Sequence, residues 1–377
     1  MKTTVSLIKE TSYDLASVRA SIEKAVDHLG GIEKFVRPGD SVLLKPNLLM
    51  PAPPKDAVST HPAVVEAVAG MVLDCGGKPF IADSPAVKIF NRIAKDSGLG
   101  AVAKKLGIPI HALEESTEQK LGDKNVFRLL EVSKQALDAD VVINLAKLKT
   151  HAMMTMTMCV KNTFGCVVDL RKAQWHLKAG DNKDFFAKML VEVHRLIAPT
   201  LNILDGIVGL EGDGPAKSGT PVEIGLIGAS ADGVALDRVV LEALGIDPEL
   251  VFVNSAAREM GVGETDINKI EVLGEPASTF RMENFKLPKG AGKRSSKKKS
   301  FLKKIVSNQL ATRPLEDREA CTLCNECVDI CPTEIIENIG ERLKFNYDEC
   351  IRCYCCVEVC PEGAMKPYEP FLSKLIG

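Results

Sequence analysis

Residues Cys321–Pro332 read CTLCNECVDICP, and residues Cys350–Pro361 read CIRCYCCVEVCP. Each run contains C-x2-C-x2-C-x3-C-P: Cys321, Cys324, Cys327 and Cys331 before Pro332, then Cys350, Cys353, Cys356 and Cys360 before Pro361. Three closely spaced thiolates on a tight loop reach three irons of a [4Fe–4S] cubane, and the fourth iron is met by the cysteine before proline in the other run. The expected ligand sets are Cys321, Cys324, Cys327 and Cys360 for one cluster, and Cys350, Cys353, Cys356 and Cys331 for a second.

C-x2-C pairs also bind zinc. Two four-cysteine runs, each closed by proline, fit two [4Fe–4S] clusters better. Cys355 breaks the register and fits no ligand slot, so it reads as a bystander. The last sixty or so residues resemble the bacterial two-cluster ferredoxins, with Cys331-Pro-Thr-Glu-Ile-Ile and Cys360-Pro-Glu-Gly-Ala-Met as pseudo-symmetric halves. The resemblance implies a small α+β domain and a role in electron transfer.

Outward from the module, composition sets the frame. A chain of 377 residues predicts two or three domains, and a 45% hydrophobic share is ordinary for a globular protein. Thiolate clusters need a reducing compartment, which points to the cytoplasm. The N-terminal MKTTVSLIKETSYD has no apolar core of signal-peptide type, and no run is long enough to predict a membrane span. The net charge of −2 selects no partner.

Before the module, strand patterns alternate with helical ones. Strands are expected at Thr3–Ile8, Ser41–Lys45, Lys78–Ala82, Ile108–Ala112, Val126–Val132, Asp140–Leu145, Leu201–Leu204, Val222–Gly228 and Glu271–Leu273. Helices are expected over Leu15–Leu29, from Pro62 to about Gly76 with Thr60 as N-cap, over Val87–Lys105 with a break near Gly98, and over Phe185–Ile197, Gly233–Leu244 and Val251–Gly261. Such alternation predicts an α/β body with a mainly parallel sheet and helices on both faces. The domains are then 1–285, a basic flexible linker at 286–315 around KLPKGAGKRSSKKKSFLKK, and the cluster module at 316–377. The linker reads as a solvated spacer; the sharper alternative is a strip that docks an acidic partner, nucleic acid (the less expected of these) or an anionic membrane surface, or that folds against the acidic module after it.

Ligands of open α/β sheets bind beyond the carboxyl ends of the strands. The polar residues gather there: Lys45 and Asn47, Asp83 and Ser84, Lys147, Lys149, Thr150 and His151, then Asp205, with Lys161-Asn162 close behind. Each alone is ordinarily solvated or capping; together they predict a site. His61, just before a proline-initiated helix, joins them as a second candidate proton donor. The segment Asp205–Gly219 carries Glu211 and Asp213 among glycines and reads equally as a flexible or a binding loop, with neither P-loop nor Rossmann spacing. Met153–Met158 (MMTMTM) reads as core packing, with a cluster-facing patch as the alternative.

LLKPNLL, STHP, GGKPFIADSP, INLAKLKTH, VKNTFGCV, DGIVGLEGDGPAKSGTPVEIG and ADGVALDRVV, in this order, resemble the DUF362 family. The resemblance spans most of residues 1–275 and implies an α/β body with a site made from these blocks, while implying no reaction.

The first reading is an enzyme: a ferredoxin-linked oxidoreductase in which two [4Fe–4S] clusters serve an α/β body holding an anionic small molecule or cofactor. Lys45, Lys149 and Lys161 would neutralise its charge, and Asn47, Thr150 and Asn162 would orient it. His151 or His61 would supply a proton. Asp83, Asp205, Glu211 and Asp213 would hold ligand hydroxyls or a divalent cation. The rival is a non-catalytic electron carrier whose body docks a redox partner protein. A third reading is metal-dependent transfer chemistry by the carboxylates.

Overall fold

In the computed structural model, residues 2–85, 89–122, 125–169, 171–293 and 312–370 are described. The body strands are β1 (Thr3–Lys9), β2 (Ser41–Pro46), β3 (Lys78–Asp83), β4 (Ile110–Ala112), β5 (Ser116–Lys120), β6 (Leu129–Ser133), β7 (Val141–His151), β8 (Thr155–Thr157), β9 (Leu201–Gly212), β10 (Gly219–Ser230) and β11 (Ile270–Gly274). Nine of them form one sheet in the order β11-β1-β10-β9-β7-β2-β3-β4, with β8 folded back on β7. The run from β9 to β4 is parallel, and the β9–β10 and β10–β1 pairs are antiparallel. The sheet is thus mixed and mainly parallel.

Burial on both faces explains the apolar strands. In β2, Val42 and Leu44 enter one apolar cluster with the helices Leu15–Asp27 and Pro62–Asp74. Leu43 enters the opposite cluster with Phe186 and Leu190 of the helix Lys183–Ile197. A strand between two helix layers has no solvent face, so its sequence runs apolar rather than alternating.

Several boundaries differ from the sequence reading. The strand expected at Asp140–Leu145 continues to His151, and all eleven residues of β7 are buried. Lys147, Lys149 and His151 are therefore strand residues inside the protein. The segment expected as a glycine-rich loop is mostly strand: β9 runs to Gly212 and pairs with β10 as a long hairpin. The strand expected at Val126–Val132 is β6, paired with β5 in a separate hairpin. Thr60 is not the N-cap. His61 caps the helix, its Nδ1 accepting from Ala63 N–H, while Thr60 Oγ1 accepts from Asn47 N–H and donates to Leu145 O. The helix break near Gly98 is present, between Phe90–Asp96 and Leu99–Leu106.

The cluster module has β12 (Arg313–Glu316) paired with β15 (Met365–Tyr368), β13 (Ile336–Asn338) paired with β14 (Leu343–Phe345), and helical turns Glu326–Asp329 and Cys355–Val359. It packs on the body. Cys327, Tyr354, Cys356, Val357 and Cys360 share one apolar cluster with Met153, Met154, Phe164 and Phe186. The methionine run is divided: Met153 and Met154 pack in the cluster that holds the module's cysteines, and Met156 and Met158 enter a second body cluster. Lys217 Nζ donates to Pro361 O at 2.6 Å. Of the expected linker, residues 286–293 lie along the body, with Lys286 N–H on Glu211 (3.0 Å) and Lys289 N–H on Asp213 (3.0 Å), and residues 313–316 form β12. Residues 294–311 lie outside the described residues.

Candidate functional site at the boundary of body and module

The carboxyl ends of β2, β3 and β7 do gather polar side chains, but in two groups. Lys147 Nζ meets Asp205 Oδ2 at 2.8 Å and Tyr13 Oη at 2.9 Å, and Tyr13 donates to the same carboxylate at 2.7 Å. His61 stacks on Tyr13 at 3.5 Å and sends its backbone N–H to Asp205. Burial pulls the Lys147 ammonium down, opposed by Asp205, and pulls His61 to about 4. This group is internally saturated, so His61 and Asp205 stand apart from the pocket described next.

The second group surrounds that pocket. Lys45 Nζ meets Asp83 Oδ1 at 2.8 Å, both almost fully buried. The Asp83 carboxylate also accepts Leu48 N–H and Ser84 N–H, each at 2.8 Å. Gly165 closes over the pair: a Cβ there would lie 2.0 Å from Asp83 Oδ1 and 2.5 Å from Lys45 Nζ. The pocket beside them is lined by Asn47, Asp83, Ser84, Lys161, Asn162, Lys172 and His176 from the body, and by Ile330, Cys355, Glu358 and Val359 from the module.

A chain of four asparagines holds the floor. Asn47 donates to Asn162 (3.0 Å), Asn162 to Asn144 (2.8 Å) and Asn144 to Asn202 (2.8 Å), whose own amide donates to Ser230 O and Ala231 O. Asn47 Oδ1 accepts from Lys149 Nζ at 2.6 Å, and Val58 O accepts from the same ammonium at 2.6 Å. Lys149 therefore has carbonyl partners and no carboxylate. Burial and the neighbouring Lys161 push it well below the usual lysine range, against the pull of Glu358. Lys161 is half-buried, its ammonium 5.9 Å from the Phe164 ring centroid. Burial lowers it, and Glu358 opposes.

His151 Nδ1 accepts from Met153 and Met154 N–H, leaving Nε2 facing Glu358 Oε1 at 3.0 Å. Burial pulls this imidazole to about 4. Burial alone would raise Glu358, but His151, Lys161 and His176 outweigh it and hold the carboxylate at about 2. Thr150 Oγ1 accepts from Gly214 N–H away from the pocket. Glu211 and Asp213 lie along residues 286–289, where Asp213 meets Lys289 Nζ at 2.9 Å. The four carboxylates expected to share a cation are thus separately engaged. Among the described residues no three His, Cys, Asp or Glu side chains converge on a single-ion position.

Cys321, Cys324, Cys327 and Cys360 line one cavity, and Cys356 has Cys353, Cys350, Cys327 and Cys331 among its neighbours. Sequence reasoning missed His176, Lys172 and the module's Glu358 and Cys355 as pocket residues. His176 and Lys172 sit on the helix Arg171–Ala179, beyond every strand-end block. Glu358 is hidden within the cysteine run.

Two family models match separate regions of the chain. A family described as a domain of unknown function, DUF362, matches residues 42–242, and a 4Fe-4S dicluster domain matches residues 313–361. A thylakoid-associated protein of Synechocystis sp. is 44% identical over 288 residues, covering 76% of this chain and 88% of the relative. The lactate racemase apoprotein of Thermoanaerobacterium thermosaccharolyticum is a solved structure with 9% identity and a TM-score of 0.42, covering 60% of this chain and 54% of that one. Among the described residues no helix is long and apolar enough to cross a membrane. The dicluster match makes the C-terminal region an iron–sulfur, ferredoxin-type electron-transfer module, and with its profile running from the β2 lysine block to the end of the helix Gly233–Leu244, the chain belongs to the DUF362 family.

Proposed function

We infer that this is a ferredoxin-linked reductase whose α/β body, residues 1–285, binds an anionic small molecule at the boundary with the cluster module. One observation carries the reading: the same pocket is walled by Lys161, Lys172 and His176 of the body and by Cys355, Glu358 and Val359 of the module. Cys355 adjoins Cys353 and Cys356 in the chain, so a ligand in this pocket lies against the segment that holds iron. Cys321, Cys324, Cys327 and Cys360 would hold one [4Fe–4S] cluster, and Cys350, Cys353, Cys356 and Cys331 the other. When bound, these clusters supply single electrons from a redox partner protein. Cys324 is exposed, whereas no cysteine of the second set is, so the edge of the first set at Cys324 offers the face for that partner.

The body's own residues do the binding. Lys161 offers positive charge, Asn162 and Asn47 are fixed by the asparagine chain, and the module's helix Cys355–Val359 shuts water out from one side. His151 is placed by β7 and holds Glu358 rather than reaching the ligand. A reducing cytoplasmic compartment suits the thiolate ligands. Anaerobic purification followed by mass spectrometry of released small molecules tests the reading. An anionic molecule in near-stoichiometric amount supports it. Recovery of fully loaded clusters with no such molecule, and reduction only of an added acceptor protein, would favour a carrier that merely docks its partner.

A further inference from the structure

The charges around the pocket do not balance. Lys45 is matched by Asp83, and Lys147 by Asp205. That leaves Lys149 and Lys161 facing one carboxylate, Glu358, which lies 3.0 Å from His151, and Lys172 near Asp83, whose charge Lys45 already matches. Lys149 is held by Asn47 and Val58, and Lys172 Nζ reaches Val167 O, so neither meets a carboxylate. Lys161 has no carboxylate within ion-pair distance among the described residues. A buried cation left unmatched is costly, so a cluster of this kind favours an added anion.

Two more features narrow the anion. His176 is 5% exposed and lines the pocket, yet its Nδ1 has no hydrogen-bond partner. Its ring is fixed by stacking on Phe186, with centroids 4.3 Å apart. Much of the remaining wall is apolar: Leu48, Leu49, Pro85, Phe164, Ile330 and Val359. A bare inorganic anion would leave that wall unused, and a wholly apolar ligand would leave the ammonium groups unmatched. Asp83 offers the ligand little, since both its oxygens are already engaged.

We propose that the pocket is a site for a small amphiphilic oxyanion, a carboxylate or phosphate monoester on an apolar body, with Lys161 and Lys172 holding the head group and His176 as its uncommitted hydrogen-bonding neighbour. This deepens the reductase reading and rests on it for the site's location. Binding itself needs no electrons, so the two can fail separately.

The test uses the intact, anaerobically purified, oxidised protein and calorimetry with four probes: cinnamate, phenyl phosphate, the neutral cinnamamide and inorganic phosphate. At least one aryl anion should bind about tenfold or more tighter than both cinnamamide and inorganic phosphate, the scale of one charge-assisted hydrogen bond. Which aryl anion wins separates carboxylate from phosphate. Lys161→Met should remove that preference, and Lys161→Arg should keep most of it. His176→Phe, which retains the stacked ring, should weaken the anion and leave cinnamamide unchanged. The proposal is overturned if cinnamamide or inorganic phosphate binds as tightly as the aryl anions, or if none of the four binds. It is also overturned if Lys161→Met shifts a cluster midpoint potential while leaving aryl-anion binding intact, because Lys161 would then offset cluster charge. Aryl-anion binding without reoxidation of reduced clusters by any small molecule would instead sink the reductase reading and leave this site standing.

Discussion

His151 Nε2, on the last residue of β7, lies 3.0 Å from Glu358 Oε1, on the module's helix Cys355–Val359. The contact joins the buried end of the central sheet to the segment carrying Cys356 and Cys360. It also fixes the wall that the module gives to the pocket. Removing the imbalance differs from removing the contact. His151→Gln retains a polar partner, whereas His151→Leu leaves Glu358 buried beside Lys161 without its neighbour. We expect His151→Leu to cost about 1–3 kcal/mol and His151→Gln less. Urea titration of both variants under anaerobic conditions checks the order. Equal stability of the two would mean that the contact contributes nothing.

The Lys45–Asp83 pair under Gly165 makes a sharper stability prediction. Lys45→Met strands a buried carboxylate, which costs roughly 3–5 kcal/mol. Gly165→Ala places a methyl group 2.0 Å from Asp83 Oδ1 and must push the pair apart. Both variants should lower the melting temperature of the body. The combined Lys45→Met/Asp83→Leu variant should recover part of the loss, because no charge is left unmatched. A double variant worse than Lys45→Met alone would contradict this account.

Much of this was legible in the sequence, for definite reasons. Metal ligands must repeat at fixed spacings, so Cys321–Cys360 declares itself. Lys45, Asn47, Asp83, Ser84, Lys161 and Asn162 follow from the strand-end rule, and the pocket at the boundary with the module contains all but Lys45, which touches it through Asp83. Partner choice was not legible. Nothing local distinguishes Lys147, which takes Asp205, from Lys149, which takes an amide and a backbone carbonyl. His176 and Glu358 are brought together by two segments far apart in the chain, and neither carries a local signal. The β9–β10 hairpin was obscured by glycines at 206, 209 and 212: the strand makes close approaches at the first two, where a Cβ at Gly209 would lie 3.0 Å from Leu148 O, and Gly212 has φ +75°.

Buried imidazoles set the acid response. Burial holds His194 at about 4 and His176 at about 3, below the unfolded value near 6.5. The unfolded chain therefore binds more protons between pH 6.5 and 4, and stability rises with pH across that window. Each contribution is complete above pH 6.5; that of His194 is lost as pH falls toward 4, on the order of 3 kcal/mol, and that of His176 as pH falls toward 3, on the order of 5 kcal/mol. His194→Gln should flatten the pH dependence of the melting temperature in this window. An unchanged slope would show that His194 does not titrate on unfolding.

Iron content checks the ligand register. The chain should carry about eight irons and as many acid-labile sulfides. Cys355→Ala should keep them, while Cys356→Ala should lose about half, read by iron assay and electron paramagnetic resonance. Loss with Cys355→Ala and retention with Cys356→Ala would exchange their roles.

The central claim is that a small molecule bound between body and module takes electrons from the clusters. The most direct measurement is single-turnover reoxidation of photoreduced, intact protein by the small-molecule fraction released from the protein itself, followed by cluster absorbance in wild type and Lys161→Met. The account predicts reoxidation of the wild type and a rate lower by about tenfold or more in the variant at subsaturating ligand. Equal rates in the two proteins, or reoxidation only when an acceptor protein is added, would contradict it.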